Sequence, residues 1–149
     1  MILGRPGADV FVENFRTGTM KHFGVDYDTM QPRNPKLVYC SLSGFGQTGP
    51  YASRGGFDLI AQAMSGLMSV TGEGGGRPPV KVGSPCTDIM CGTLGALGIS
   101  GALRAREISG LGQHLDTSLY VFDAVCLCIC TCRQLIDLSL IAGTRRGLC

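Results

Sequence analysis

The sequence lacks tryptophan, contains only two histidines, and has few charged side chains, which make up 16% of its 149 residues. Its formal net charge is +2, and no stretch concentrates lysine or arginine. Proteins that bind nucleic acids or membrane surfaces use dense positive charge for their phosphate contacts. We therefore expect neither nucleic acid nor membrane as a partner. His22 and His114 lie far apart in sequence and belong to no cluster of metal ligands.

Long hydrophobic runs are also missing. The longest apolar stretch covers residues 89–103 and is rich in glycine, whereas a membrane-spanning helix needs about 20 apolar residues. Residues 1–6 do not contain the hydrophobic centre of a secretory signal peptide. These two absences predict a cytoplasmic protein without a membrane segment. With 44% hydrophobic residues, the chain is long enough to form one packed domain.

Eight cysteines are present, and their surroundings differ. Cys40, Cys86 and Cys91 lie in apolar segments, where we expect reduced thiols rather than disulfides. Four more alternate with other residues from Cys126 to Cys132, a pattern that would place all four thiols on one face of a strand. Because zinc sites use CxxC pairs at defined spacings, we expect no metal, and a metal site at this run stays open as an alternative.

The strand and helix patterns alternate along the chain. Residues 8–15 and 36–42 are rich in valine and aromatic residues and predict strands, the first of them largely buried. Residues 57–66 predict a helix that ends at a glycine. The apolar face expected for this helix comprises Leu59, Ile60, Ala63 and Met64. Residues 67–71 have a strand-like pattern, and the whole alternation predicts an α/β domain with a parallel sheet.

Residues 44–49 match the GxGxxG pattern of dinucleotide-binding proteins. In those proteins the third glycine lies within a helix. Here Pro50 follows it directly, and a helical pattern begins only near Phe57. We therefore expect no NAD, and an NAD-binding module remains one alternative function.

The segment that begins at residues 82–88 combines proline, threonine and aspartate with a helical pattern that continues to Arg106. Glycines recur at every third position of this helix, namely Gly92, Gly95, Gly98 and Gly101. A stripe of small residues lets another backbone or a flat ligand come close. The core contacts expected for this helix are those of Met90, Leu94, Leu97 and Leu103. Asp88 at the helix start either caps the helix or presents a catalytic carboxylate.

Taken together, these segments resemble the class III CoA-transferases, the family that includes formyl-CoA transferase, carnitine CoA-transferase and α-methylacyl-CoA racemase. The matching residues are collinear: 8–16, 34–39, 43–51, 57–66, Asp88, 102–106, 110–113 and several positions between 116 and 124. The resemblance extends over about residues 8–125. It implies that the fold is part of the Rossmann-like, parallel-sheet large domain of that family.

The resemblance also implies residue roles. Asp88 matches the aspartate that attacks an acyl-CoA thioester and forms an aspartyl acyl anhydride, which CoA or a small carboxylic acid then captures. Asn14, Phe15 and Arg16 match a segment that lines the CoA site. The backbone N–H groups at a helix start would keep Asp88 ionised. The racemase branch has a histidine where this chain has Phe57, which cannot transfer protons, so a transferase is favoured and a racemase remains an alternative.

Class III CoA-transferases are more than twice as long as this chain and form interlocked homodimers. We therefore expect residues 1–125 to be part of the large domain and residues 126–149 to be a divergent, cysteine-rich tail. A fragment of this kind that binds CoA without turnover, or is inactive, is a further alternative.

Overall fold

The computed structural model describes residues 7–121 together with residues 123, 124 and 127. Its elements are, in chain order, β1 (Val10–Glu13), α1 (Thr19–His22), α2 (Tyr27–Met30), β2 (Val38–Ser43), α3 (Asp58–Ser65), a 3-10 helix (Leu67–Val70), α4 (Cys86–Ser109) and β3 (His114–Ser118). The chain becomes helical again at Leu119, directly after β3.

The three strands form one parallel sheet in the order β1-β2-β3, with β2 at its centre. Val10 of β1 lies opposite Val38 of β2, and Tyr39 of β2 lies opposite His114 of β3. The α/β class and the parallel sheet predicted from the sequence are therefore confirmed. The expectation that β1 is largely buried is wrong, because β1 is an edge strand of the described sheet and Val12 remains 49% exposed.

Helices cover both faces of the sheet. Side chains alternate between the two faces along each strand, so each face has apolar side chains that a helix can bury. On one face, Tyr39 packs with Val25 and Met30 in a small core next to α1 and α2. On the other face, the backbone of α4 lies directly against β2: a Cβ atom added to Gly95 would be 2.9 Å from Cδ2 of Leu42. Within the glycine stripe, Gly95 therefore allows the close backbone approach that the sequence suggested, whereas a Cβ added to Gly92 or Gly101 would have no heavy atom within 4 Å.

The buried face of α4 is its small-residue face, not the apolar face expected from the sequence. The buried residues of the helix are Thr87, Cys91, Gly95 and Ala102. Of the expected core residues, Leu103 is half-buried, whereas Met90, Leu94 and Leu97 are 42%, 39% and 68% exposed. A helix turns only one side to a sheet, and the glycine side allows the shorter separation. The larger side chains consequently point away from β2.

The same reversal occurs in α3. Its buried residues are Ala61 and Gln62. The residues expected to face the core are exposed instead, namely Leu59, Ile60, Ala63 and Met64. Ala61 is the contact residue, and it packs with Cys91 of α4 and with Leu119. As in α4, the smaller side chain lies at the helix contact.

Residues 67–71, expected to be strand-like, contain the 3-10 helix Leu67–Val70. Gly66 has a φ angle of 92°, in the left-handed region that ends α3. A short apolar run cannot be assigned to strand or helix from its period alone. The turn at Gly66 directs the chain into a second helical segment instead of a strand.

Arg106 fastens the C-terminal half of α4 to the start of the sheet. Its Nη2 atom lies 2.8 Å from Oδ1 of Asp9, and its Nη1 atom donates a hydrogen bond of 3.0 Å to the carbonyl oxygen of Lys36. The Arg106 side chain is 20% exposed. Arg104, by contrast, pairs with Glu107 at the surface and is 73% exposed.

Helix α4 has 24 residues, with a mean hydropathy of 1.3 in its most apolar window, and is longer than the apolar stretch seen in the sequence. By length and composition alone it is the one helix in the described part of the chain that could cross a membrane. Core helices commonly share both properties, and α4 packs on β2 and β3. The two properties are therefore weak evidence for a membrane segment.

Candidate active site

A cavity of about 610 Å³ opens where the carboxyl ends of the strands meet. This is the edge at which open parallel sheets bind their ligands. Its lining comprises residues 14–17, 42–44 and 54–57 with Asp88, Cys91, Gly92 and Leu119. The four site residues that the resemblance implied, Asn14, Phe15, Arg16 and Asp88, therefore line one cavity.

The segment from Asn14 to Arg16 follows β1 directly, and hydrogen bonds between side chains and backbone groups hold it in place. The carboxylate of Glu13 accepts a hydrogen bond of 2.9 Å from the N–H of Phe15. Thr17 donates a hydrogen bond of 3.2 Å to the carbonyl oxygen of Gly46. The Phe15 side chain is 54% exposed, so it is available to contact a ligand in the cavity.

Asp88 lies in the first turn of α4, but it does not cap the helix. The helix begins at Cys86, two residues earlier than the sequence suggested, and its N-cap residue is Pro85. No side chain at the N-cap position accepts a hydrogen bond from the helix. The capping interpretation of Asp88 is therefore wrong, and its carboxylate lines the cavity instead.

The carboxylate that does cap α4 comes from another helix. Oδ1 of Asp58 accepts hydrogen bonds from the N–H and the hydroxyl of Thr87, at 2.9 and 2.7 Å. Oδ2 of Asp58 accepts a bond of 2.6 Å from Nε2 of Gln62. Although burial raises the pKa of Asp58, these hydrogen bonds outweigh it and lower that pKa below its usual value.

The two other carboxylates near this helix start behave in the opposite way. Burial, and then the charge of Asp58, raise the pKa of Asp88. Burial is also the main cause that raises the pKa of Asp123, with a smaller contribution from Asp58. The expectation that the helix N–H groups favour the ionised form of Asp88 is therefore wrong. The N–H of Thr87 already donates to Asp58, and the charge of Asp58 opposes a second negative charge.

Two glycine backbones meet at the wall of the cavity. A Cβ atom on Gly44 would lie 2.4 Å from Cα of Gly56, and one on Gly56 would lie 2.3 Å from Cα of Gly44. Real Cβ atoms essentially never come within 3.0 Å of another heavy atom in this way. Both positions therefore require glycine, because a backbone atom, unlike a side chain, cannot rotate out of the way.

The glycine-rich loop after β2 is held by strands and not by a helix. Gly46 has a φ of 89°, and its N–H donates a bond of 2.9 Å to the hydroxyl of Ser43. The N–H of Gln47 donates a bond of 2.9 Å to the carboxylate of Asp116 in β3. The next helix begins only at Asp58. This geometry differs from the GxGxxG motif of dinucleotide-binding proteins, whose third glycine lies inside a helix.

Two guanidinium groups line the cavity, and the sequence indicated only one of them. Arg16 lies against Gly55, where an added Cβ would be 3.0 Å from its Nε atom. Cζ of Arg54, the arginine that the sequence did not indicate, lies 4.5 Å from the ring centroid of Tyr51. Within the described part of the chain, neither arginine forms an ion pair. Arg54 follows no recognisable pattern, and only its place in a loop beside the sheet edge could have indicated it.

The thiols agree with the sequence prediction as far as the structure describes them. Cys40, Cys86 and Cys91 are free. Among the described residues, no group of three histidine, cysteine, aspartate or glutamate side chains is arranged to hold a metal ion. The cysteines from Cys126 to Cys132 lie outside the described residues, so the expectations for that run and for the tail stay predictions.

Comparison with known proteins gives a family for this arrangement. The family model of CoA-transferase family III matches residues 6–133, which include every residue that lines the cavity. Among solved structures, a CAIB/BAIF family protein from Brucella suis is similar, with a TM-score of 0.82 and 40% sequence identity. That match covers 90% of this chain and 35% of the Brucella chain.

Several curated relatives are named as CoA-transferases. The chain is 48% identical over 112 residues to a succinate–glutarate CoA-transferase of Agrobacterium fabrum. It is 47% identical over 117 residues to a succinyl-CoA:mesaconate CoA-transferase of Haloarcula hispanica and 47% identical over 114 residues to an acetyl-CoA:oxalate CoA-transferase of Acetobacter aceti. The three matches cover 75–76% of this chain and 28–29% of those enzymes. The chain belongs to CoA-transferase family III.

Proposed function

We propose that this chain carries the catalytic aspartate and part of the CoA site of an enzyme that moves CoA from an acyl-CoA to a small carboxylic acid. The observation that carries the proposal is the cavity that Asp88 shares with Asn14, Phe15 and Arg16. The names of the relatives, which pair CoA with succinate, glutarate, mesaconate or oxalate, support this substrate class.

The first step is attack by a carboxylate oxygen of Asp88 on the thioester carbonyl. The new C–O bond forms as the C–S bond breaks, CoA leaves as its thiolate, and a mixed anhydride joins the acyl group to Asp88. A thiolate is a good leaving group, so a carboxylate can displace it. The raised pKa of Asp88 makes its ionised form a more basic, and hence stronger, nucleophile.

The remaining steps use two nucleophiles, the CoA thiolate and a carboxylate. The CoA thiolate attacks the Asp88 carbonyl of the anhydride, which releases the first acid and leaves CoA as a thioester on Asp88. The second carboxylate attacks this thioester and forms a new anhydride. The thiolate then attacks its acyl carbonyl, which releases the new acyl-CoA and the free Asp88 carboxylate. Each step exchanges one anion for another, so no redox partner is needed.

Arg16 and Arg54 supply positive charge for this anionic chemistry. CoA carries phosphates and the acceptor carries a carboxylate, and guanidinium groups bind both kinds of oxyanion through paired N–H donors. Neither guanidinium is engaged by a carboxylate in the described part of the chain, so both are available to ligands. We assign Arg16 to CoA, with Asn14 and Phe15, and Arg54, which lines the same cavity, to charge compensation.

Trapping with hydroxylamine tests the proposal. The folded chain is incubated with succinyl-CoA and hydroxylamine, and peptide mass spectrometry should find a hydroxamate at Asp88, because hydroxylamine cleaves an aspartyl anhydride or thioester. Asp88→Asn should give no such product. Asp28→Asn, an exposed aspartate in the first turn of α2, is the matched control and should behave like the unchanged chain. A folded sample without hydroxamate at Asp88 would refute the catalytic role.

A non-catalytic CoA-binding function is the second candidate, because the chain spans only 28–29% of the relatives it matches. It predicts saturable CoA binding, measured by calorimetry, that Arg16→Ala weakens, with no hydroxamate in any variant. The racemase alternative receives less support. Phe57 lines the cavity and is 69% exposed, so the position expected to hold a proton-transferring histidine offers only a hydrocarbon ring.

A further inference from the structure

Asp58 connects two segments near the cavity that are separate in sequence, α3 and the start of α4. It belongs to α3, it accepts both hydrogen bonds of Thr87 in α4, and it accepts the amide N–H of Gln62. Oε1 of Gln62 in turn accepts a bond of 2.8 Å from the N–H of Val82, in the segment that leads into α4. Thr87 and Gln62 are both fully buried, so water cannot replace these bonds.

The position of this network matters because Asp88 is the next residue after Thr87. A helix start carries N–H groups without partners inside the helix, and α4 has no side-chain cap of its own. The carboxylate of Asp58 fills that role across the helix contact. The rotation of the first turn, and with it the direction of the Asp88 side chain, is therefore fixed by α3.

We propose that Asp58 is a positioning residue for Asp88: it fixes the first turn of α4 through the N–H and the hydroxyl of Thr87, and it places a negative charge beside the nucleophile. The second half of this inference rests on the proposed function of Asp88. A carboxylate stabilised by a helix start is a weaker base, and a weaker base is a poorer nucleophile. Asp58 thus makes Asp88 more reactive, because its charge opposes a second negative charge and the N–H of Thr87 donates to Asp58 instead of Asp88.

The charged and titratable groups around Asp88 agree with this role. Asp58 lies on α3, Cys86 and Cys91 lie on α4 itself, Asp123 lies in the segment after β3, and Arg16 and Arg54 line the same cavity as Asp88. Burial is the main cause that raises the pKa of Asp88, and the charge of Asp58 raises it further.

The test is Asp58→Asn in the full chain, read by NMR titration of the side-chain carboxyl carbon of Asp88, which the Asp88→Asn variant assigns. Asparagine keeps an oxygen that accepts from Thr87 but removes the charge. The pH at which the Asp88 carboxyl group titrates should fall. The rate of hydroxamate formation from succinyl-CoA rises with pH as Asp88 ionises, and this rise should shift to lower pH by the same amount. At pH values above this rise, the rate should be lower than in the unchanged chain. Thr87→Val, which removes one bond and keeps the charge, should leave the Asp88 titration close to its original position.

An Asp88 titration that does not move in folded Asp58→Asn would overturn the inference, because a purely structural cap would change only stability. If that variant does not fold, the unchanged chain gives a second readout. The chemical shift of the Thr87 amide proton should change with pH as Asp58 titrates, at the lowered pKa of Asp58. A chemical shift that does not follow this titration also overturns the inference. Neither NMR readout needs acyl-CoA, so absence of hydroxamate would refute the proposed function without affecting this result.

Discussion

The contact between Gly44 and Gly56 makes a sharp stability prediction. In Gly44→Ala, the new Cβ would lie 2.4 Å from Cα and 2.7 Å from N of Gly56, whereas ordinary contacts begin at 3.4 Å. The two loops must therefore separate by about 1 Å. Forcing extra volume into packed structure costs about 1–3 kcal/mol, and we expect the upper part of this range because only backbone atoms are in the way.

Gly101→Ala is the matched control. Gly101 lies inside α4, and an added Cβ would have no heavy atom within 4 Å. Alanine is favoured over glycine in a helix interior by about 1 kcal/mol. One added methyl group should therefore destabilise the protein at Gly44 and stabilise it at Gly101, although both changes are glycine to alanine.

Urea unfolding followed by circular dichroism measures both effects, because a change of midpoint at constant slope reports stability. In a thermal scan, each kcal/mol should correspond to a shift of about 2–4 °C in Tm. Gly44→Ala should also weaken CoA binding, since Gly44 and Gly56 both line the cavity. If Gly44→Ala unfolded at the same urea concentration as the unchanged protein while Gly101→Ala gained stability, the close approach of the loops would be refuted.

Three further predictions concern other parts of the fold. Arg106→Ala should lose about 1–2 kcal/mol, since its bonds hold α4 to the sheet, whereas the exposed Arg104→Ala should lose less than about 0.5 kcal/mol; equal losses in urea would contradict this. Met30→Ala, at a site 2% exposed, should cost about 2–5 kcal/mol, whereas Leu97→Ala, 68% exposed, should stay within about 0.5 kcal/mol; a large loss at Leu97 would mean that the face is covered. Asp88→Asn should stabilise the fold at neutral pH, because the raised pKa of Asp88 means that folding disfavours its ionised form there. The gain should disappear as the pH falls through that pKa and below the unfolded value of about 3.9, and a gain independent of pH would contradict the assignment.

The sheet and the cluster of site residues could be predicted from the sequence for a physical reason. The strands have strong β-forming side chains, and the carboxyl ends of parallel strands meet at one edge. Asn14 to Arg16 leave β1 at that edge, and Asp88 lies in the first turn of the helix that packs behind it. The resemblance supplied the roles, and the topology explains why residues more than 70 positions apart line one cavity.

The orientation of the helices could not be predicted in the same way. Periodicity records where apolar side chains lie, but it assigns no weight to a glycine backbone as a packing surface. In α4 the close fit of Gly95 against Leu42 decides which face is buried, and Leu97 points outward as a result. A pattern of large residues therefore predicted the wrong face, although Gly95, whose close fit determines the packing, was visible in the sequence.

No sequence pattern near the start of α4 indicates which residue caps this helix. Asp58 and Thr87 are separated by 29 residues, and capping rules consider only the residues next to the helix start. Asp88 satisfied such a rule, but Pro85 is the N-cap and Asp58 supplies the carboxylate. Only the contact between α3 and α4 brings these groups together, which is why the direction of the Asp88 pKa shift was also missed.

The parallel sheet has a consequence for the order of folding. Asn34 donates a hydrogen bond to the carbonyl of Ala8 across 26 residues, whereas Ser41 in β2 meets His114 in β3 across 73 residues. Closing the longer loop costs about 1 kcal/mol more in chain entropy. We expect β1, β2 and the core around Tyr39 to form first, and β3 to dock after α4 is helical. Because Leu119 follows β3 and completes the cavity wall, ligand binding should be the last property that a refolding chain recovers.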